Sequence, residues 1–264
     1  MLLIDKYAYI NRLKDVHPME KMVFTALLLL FSLTVRDQLI SLITFIVMSA
    51  FIIFGAKIPW RYYVKLLLLP SFFLLTSLLA ILVSFAGPTS ALPPHIFALS
   101  FTRFQLFIGV ASVAVAKQLF FVVLASISAL YFLILTTSVQ AICYVLYKWR
   151  IPPLFVELCE MTYRFIFIFL ENTQKIYIAQ QSRLGYQSPR QWLRSVGLLV
   201  SALFIEVLQR STELTSAMLS RGYDPSNTTP LYFEEQWQFR KRNWLGIAVI
   251  FGAIVAVYVG GRQW

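Results

Sequence analysis

Apolar residues run along this chain in blocks, not in alternation. The first block is Met22–Val35, bounded by Lys21 and Arg36, whose long side chains can reach out of an apolar environment. At about 1.5 Å per residue it is short for a bilayer span, so neighbours such as Met19 must extend it. Arg36-Asp37 reads as a tight turn before the second block, Gln38–Ala56. Lys57, Pro59, Arg61 and Lys65 form a basic loop ahead of the third, Leu66–Ala86. Gly87, Pro88, Pro93 and Pro94 then predict a connecting loop, because Pro and Gly interrupt helices. From Phe104 to Tyr147 the only charge is Lys117, and the stretch is too long for one untilted crossing. Residues 104–117 read as an interfacial or re-entrant segment, or as the start of the span, leading into a crossing over Gln118–Tyr147; one long tilted helix is the alternative. Lys117, at the start of that crossing, reads as a side chain that snorkels to the interface. The last block is Trp244–Gly261, with Trp244, Tyr258 and Trp264 suited to the two membrane interfaces.

Residues 148–242 follow a different rule, with charges every few positions among apolar ones. Pro152-Pro153 opens a helix that runs to about Arg183, with Gly185 as its stop. Ser188-Pro189-Arg190-Gln191 has the cap, first-turn Pro and capping-box Gln of a second helix, which runs to about Arg221 and stops at Gly222. Leu154, Leu158, Met161, Phe165 and Phe169 keep helical spacing in the first, as do Trp192, Val196, Leu199, Leu203 and Val207 in the second. Glu157, Glu160, Arg164 and Glu171 interrupt the first helix, and Arg194, Glu206, Arg210 and Glu213 the second. Such a density of charge is costly at mid-bilayer and natural for long amphipathic helices at the membrane surface. The chain thus divides into a membrane domain over 1–147 with four spans, a surface region over 148–242, and a C-terminal span over 243–264. The predicted fold class is an all-α polytopic membrane protein with about five transmembrane helices and two long amphipathic cytoplasmic helices.

Composition agrees with the blocks: 59% of the 264 residues are hydrophobic and 13% charged, with a mean hydropathy of +0.71. A soluble fold of this size could not hide that much apolar surface. The net charge of +11 would suggest nucleic acid in a soluble protein. Its distribution excludes that reading. With the N-terminus inside and five spans, the cytoplasmic parts hold Lys6, Arg12, Lys14, Lys21, Lys57, Arg61, Lys65 and every Lys and Arg of 148–242, whereas the external parts hold only Arg36, Arg103 and Arg262. That is the positive-inside pattern, with the C-terminus external. Asp5, Asp15 and Glu20 argue against a cleaved signal peptide. Cys143 and Cys159 lack a CxxC spacing and read as buried or interfacial thiols; His17 and His95 stand far apart and make poor metal ligands.

The two amphipathic helices end alike. One closes Ala179-Gln180-Gln181-Ser182-Arg183-Leu184-Gly185-Tyr186, the other Ala217-Met218-Leu219-Ser220-Arg221-Gly222-Tyr223. Two readings fit. A cation and a Gly at a helix C-terminus are ordinary capping. Alternatively, each Arg is a docking fork for a carboxylate on a partner with two similar grooves.

These residues resemble the transmembrane (T) subunits of energy-coupling factor transporters, which carry an Ala-Arg-Gly-like motif at the end of each of two cytoplasmic coupling helices. Ser220-Arg221-Gly222 is close to that motif, and Ser182-Arg183-Leu184 keeps its Arg. Leu3-Ile4-Asp5-Lys6-Tyr7-Ala8-Tyr9, His17-Pro18 with Lys21, and Tyr163-Arg164-Phe165 are similar to the cobalt branch, the CbiQ type. The resemblance implies a non-catalytic permease subunit of a cobalt importer in a prokaryotic cell membrane. It also implies that Ser182, Arg183, Leu184, Ser220, Arg221 and Gly222 dock two cytoplasmic ATP-binding subunits. Their motion would pass to a separate cobalt-binding membrane (S) subunit, with a small accessory membrane subunit as a further partner. The chain itself would need no cofactor or metal; it carries no GxxxxGK[ST] phosphate loop. Nickel or vitamin uptake in the same role stays open. So, from the residues alone, does a membrane enzyme using Glu157, Glu160, Arg164 and Glu171, or a secondary carrier.

Overall fold

The computed structural model describes residues 3–82, 84–86, 95–100, 105–223 and 241–261. Nine α-helices are described: α1 (Leu3–Ile10), α2 (Pro18–Val35), α3 (Gln38–Ala50), α4 (Trp60–Leu82), α5 (Val110–Thr136), α6 (Val139–Lys148), α7 (Pro153–Ser182), α8 (Pro189–Ser220) and α9 (Lys241–Gly261). α3 continues through a π-helical turn, Phe51–Gly55. Six helical segments are long and apolar enough to cross a membrane: Pro18–Val35, Gln38–Gly55, Trp60–Leu82, Val110–Thr136, Pro189–Ser220 and Arg242–Gly260. The protein is therefore an all-α, multi-pass membrane protein. Two compact units divide the chain, one of Leu2–Ser138 with Glu235–Trp264 and the other of Val139–Glu234.

In the first unit α1, α2, α3 and α4 pack against α5, and α9 packs against α2 and α3. α5 presents small residues inwards, with Ala125, Ser128 and Ala129 almost wholly buried, so its neighbours approach closely. Phe24, Phe51 and Phe132 meet edge to face, with centroids 5.3, 5.9 and 6.2 Å apart. Leu28, Ile40, Met48, Ile52 and Leu135 fill the space around them. Several polar atoms in this interior are paired: Ser32 and Ser41 hydroxyls lie 3.2 Å apart, the Ser49 and Tyr63 hydroxyls 2.8 Å apart, and the Tyr131 hydroxyl donates to the Leu66 carbonyl at 3.0 Å, while the buried Thr44 hydroxyl has no partner among the described residues. The outer face inverts the soluble pattern, since Phe54, Leu69, Phe72 and Phe73 are each more than 70% exposed. Lipid covers such a face in a membrane protein.

Several boundaries differ from the sequence expectations. α2 begins at Pro18 instead of Met22, because His17 caps it: its Nδ1 accepts from the Met19 N–H at 3.2 Å, with Pro18 in the first turn. The stretch expected as a re-entrant or interfacial segment is divided. Gln105–Gly109 is a strand (β3) between β1 (Ser84–Ala86) and β2 (His95–Ser100) in a small antiparallel sheet, and Val110 already opens α5. Leu66–Ala86 correspondingly gives its last residues to β1, while Gly87, Pro88, Pro93, Pro94 and Phe104 lie outside the described residues. Lys117 is exposed in α5. The crossing expected over Gln118–Tyr147 ends at Thr136. Thr137 is extended (φ −128°, ψ 121°), and α6 is a separate helix.

The end of α5 is capped from far away. A helix leaves its last carbonyls without intrahelical donors, and in an apolar surround that is costly. Asn11 Nδ2 donates to the Leu135 carbonyl at 3.3 Å, and Lys21 Nζ donates to the Thr136 carbonyl at 2.9 Å. Both side chains are buried, as is Glu20, which accepts from Asn243 Nδ2 at 2.8 Å. The N-terminal segment, α2, α5 and α9 are thus tied at one polar knot. Replacing Lys21 with Met should remove this donor and lower the stability of the purified protein by about 1–3 kcal/mol, read as an earlier unfolding midpoint in detergent. An unchanged midpoint would show that the Thr136 carbonyl needs no such partner.

Candidate functional site: the ends of the α7–α8 hairpin

α7 and α8 form an antiparallel hairpin, as three cross-helix pairs show. Gln180 Nε2 donates to the Ser195 carbonyl at 3.0 Å near the loop, Asn172 Nδ2 donates to Glu206 Oε1 in the middle, and the Tyr223 hydroxyl donates to Glu157 Oε2 at 2.9 Å at the far end. Both helices start as their sequences require: Pro152 precedes α7, and Ser188 Oγ accepts from the Gln191 N–H at 3.3 Å in α8. A groove of about 380 Å³ lies between them. Met161, Phe165, Ile168 and Leu214 contribute its apolar lining.

The hairpin places Ser182, Arg183 and Leu184 at one end and Ser220, Arg221 and Gly222 at the other. At a rise of 1.5 Å per residue the ends are about 45 Å apart, so the two triplets do not form one site. They are instead two copies of one construction. At the first, the Leu184 N–H donates to the Gln181 carbonyl and the Gly185 N–H to the Gln180 carbonyl, both at 3.0 Å. At the second, the Gly222 N–H donates to the Leu219 carbonyl at 3.0 Å and the Tyr223 N–H to the Met218 carbonyl at 3.1 Å. Each is a Schellman motif, with Arg as the C-cap and the next residue left-handed: Leu184 at φ 60° and Gly222 at φ 73°. The serines match too, Ser182 Oγ donating to the Ile178 carbonyl at 3.0 Å and Ser220 Oγ to the Ser216 carbonyl at 2.8 Å.

This geometry bears on the capping reading. The Gln180, Gln181, Met218 and Leu219 carbonyls are satisfied by backbone N–H groups, so these bonds do not call on the guanidinium groups. All six residues of the triplets are exposed, and among the described residues neither Arg183 nor Arg221 has an ion-pair partner. What remains of the capping role is the modest attraction of a cation to the helix dipole.

Sequence reasoning missed what fixes the first end. Ser195 Oγ donates to the Gly185 carbonyl at 2.8 Å, and the Tyr186 hydroxyl donates to Gln180 Oε1 at 2.6 Å. The Tyr177 and Tyr186 rings lie 4.8 Å apart. Gly185, read as a helix stop, is also a close-approach point: a Cβ there would lie 2.7 Å from Ser195 Oγ and 3.0 Å from the Gln180 carbonyl oxygen. Of the residues offered as an enzyme site, Glu157, Glu160 and Arg164 line the groove with Arg210 and Glu213, while Glu171 lies outside it. Glu157 bonds Tyr223, Glu160 lies 4.0 Å from Arg164, and Glu171 lies 2.8 Å from Lys175. No group of three or more His, Cys, Asp or Glu suited to a metal gathers among the described residues. Burial pushes the Cys143 thiol up to about 11, with Cys159 and Glu160 adding to the shift, so at neutral pH it stays protonated and inert.

The model of the cobalt transport protein family CbiQ matches residues 11–231. This chain belongs to that family. It is 29% identical over 222 residues to the cobalt transport protein CbiQ of Rhodobacter capsulatus, covering 83% of this chain and 84% of that one. It is 27% identical over 220 residues to the energy-coupling factor transporter transmembrane protein EcfT of Exiguobacterium sibiricum, covering 80% and 81%. It is also 30% identical over 258 residues to a putative fused cobalt transport protein CbiMQ of Methanocorpusculum labreanum; there the match takes in 96% of this chain but 42% of the relative. The CbiQ match includes both arginine ends, so this member is a transporter membrane component whose family region contains the whole hairpin.

The Gly185 contact yields a test with a built-in contrast. Gly185→Ala should destabilise the hairpin by about 1–3 kcal/mol through overpacking. Gly197→Ala, in the interior of α8 with nothing within 4 Å of the added Cβ, should stabilise it by about 0.5–1 kcal/mol. Thermal unfolding of the two variants should therefore move in opposite directions.

Proposed function

We propose that this chain is the transmembrane coupling subunit of an energy-coupling factor importer for cobalt. Two cytoplasmic ATP-binding subunits dock the ends of the α7–α8 hairpin through Arg183 and Arg221, and ATP-driven closure moves the hairpin. A separate substrate-binding membrane subunit reorients in response, and an accessory membrane subunit completes the assembly. The observation that carries this reading is the repeated terminal construction, an exposed Arg on a rigid Schellman loop at each end of one hairpin. A bidentate carboxylate groove on each ATP-binding subunit is its natural complement. Cobalt is supported by the names of the family and of its relatives, and a second membrane component by the fused relative.

In this reading the hairpin lies at the cytoplasmic face, with the N-terminus inside and the C-terminus outside. α8 is apolar and long enough to span, but its partner α7 carries Glu157, Glu160, Arg164, Glu171 and Lys175, and Asn172 bonds Glu206 midway along the pair. A crossing would place that carboxylate deep in the bilayer, where it is costly. Leu198, Val200, Phe204 and Ile205 of α8 are more than half exposed, a surface suited to the membrane boundary or to the substrate-binding subunit. In this reading the chain itself is non-catalytic: Glu157 and Glu160 in the groove and Glu171 outside it hold partners of their own, and the phosphate-loop motif is missing from the sequence.

The chain, its ATP-binding subunits and the substrate-binding subunit, expressed together, test this directly. Arg183→Ala and Arg221→Ala should each weaken recovery of the ATP-binding subunits by about 30-fold or more, the cost of truncating one partner of a desolvated ion pair. The double variant should abolish cobalt uptake while still inserting. Full uptake by the double variant would return both arginines to capping, and uptake without ATP-binding subunits would favour a secondary carrier. Radiolabelled nickel measured in parallel decides the metal.

A further inference from the structure

α2 and α9 run side by side in the same direction. The Asn243 amide meets Glu20 near their starts, and Phe31 packs edge to face with Phe251 and Tyr258 further along, at centroid distances of 5.5 and 6.0 Å. A pocket of about 260 Å³ lies near the helix starts, among α2, α9, α5 and the π-helical turn. Its lining changes along the helix axis. Glu20, Lys21, Arg242 and Asn243 form one end, and Phe24, Phe51, Phe132, Ile247 and Ile250 form the rest. At 1.5 Å per residue, Arg242 and Ile250 are about 12 Å apart along α9. The charges at the polar end do not balance, because Lys21 and Arg242 face one carboxylate, Glu20, which accepts from Asn243. Lys21 is 5% exposed and gives one N–H to the Thr136 carbonyl, whereas an ammonium has three to give. Arg242 is exposed, and among the described residues it forms no ion pair. It stands in the first turn of α9, where the helix dipole favours an anion and opposes a cation. Gly246 also lines the pocket, and a Cβ added there would meet nothing within 4 Å.

We infer that this pocket is a binding site for one anionic phospholipid, with the phosphodiester between Arg242 and Lys21 and an acyl chain against the phenylalanines and isoleucines below. A polar mouth above an apolar recess, on helices that cross a bilayer, matches the lipid's own profile, and basic pockets between membrane helices suit anionic head groups. Charge decides the occupant. An apolar partner helix laid over the pocket would bury the surplus cation unpaired, which is costly. An anionic lipid supplies the missing negative charge, and its phosphate can also accept from the first N–H groups of α9. A zwitterionic lipid brings a cation of its own and gains less. The bound lipid bridges α2 and α9 and steadies the polar knot that Lys21 makes at the end of α5. This site requires only the bilayer and is independent of the docking of ATP-binding subunits.

The full chain, stripped of endogenous lipid in detergent, is unfolded by heat while phosphatidylglycerol, phosphatidylcholine or glycerol 3-phosphate is titrated in. Phosphatidylglycerol should raise the wild-type midpoint by about 5 °C at saturation, and phosphatidylcholine by less than half as much. Glycerol 3-phosphate, a head group without chains, should leave it unchanged. Arg242→Gln removes an exposed side chain outside the knot, so it should fold normally and need about tenfold more phosphatidylglycerol for the same shift. Gly246→Phe fills the pocket and should abolish the shift. Gly252→Phe, on the same helix outside the pocket and with the same open surroundings, should respond as wild type does. No shift with phosphatidylglycerol, equal shifts with both lipids, or a shift that survives Arg242→Gln and Gly246→Phe would overturn the site. A response to glycerol 3-phosphate as large as that to the lipid would make it a phosphate site and overturn the lipid.

Discussion

A helix that stops leaves carbonyl groups without donors, and in this protein the way each helix stops decides what it can do. Inside an apolar unit those groups cannot be left to water. The end of α5 is met by the Asn11 amide and the Lys21 ammonium, which draw the N-terminal segment and α2 onto it. The ends of α7 and α8 are met by their own following backbone, which leaves the arginine side chains at those ends uncommitted. One solution builds a closed knot and the other builds a presented tip. The proposed docking depends on the second, since an arginine spent on capping carbonyls has fewer of its donors to offer a partner.

The hairpin also sets a length. Its cross-helix bonds run from Gln180–Ser195 through Asn172–Glu206 to Glu157–Tyr223, so the two tips are held at the ends of one lever. The ends are not equally firm. The loop end is fastened by Ser195, Gln180, Tyr186 and the tight space at Gly185. At the other end, the side-chain tie across the helices among the described residues is the bond from the Tyr223 hydroxyl to Glu157.

Much of this was legible in the sequence. The apolar blocks correspond to the membrane helices, and Ser188-Pro189 and the Gly-Tyr pairs mark the starts and stops of the hairpin helices, because capping is local chemistry written in adjacent residues. What was not legible depends on distance or on backbone conformation. The break at Thr137 carries no Gly, Pro or charge, and the Asn11 amide that meets the end of α5 comes from 124 residues away. The strand Gln105–Gly109 hides in an apolar run that suits a helix equally well. At the first tip the sequence has Leu184 after the arginine where the second has Gly222, and its glycine, Gly185, comes one position later. The backbone removes the discrepancy: Leu184 itself takes the left-handed place of Gly222, and Gly185 answers to a different constraint, the hydroxyl of Ser195.

The most direct measurement is proximity at both tips in the assembled transporter. Cysteines introduced singly at Ser182 and Ser220, in a background with Cys143 and Cys159 replaced, would be treated with a short cross-linker in membranes containing the ATP-binding subunits. The account predicts that each cysteine captures an ATP-binding subunit and that the doubly substituted chain captures two at once. Capture from only one end, or from neither while the complex remains active, would contradict it.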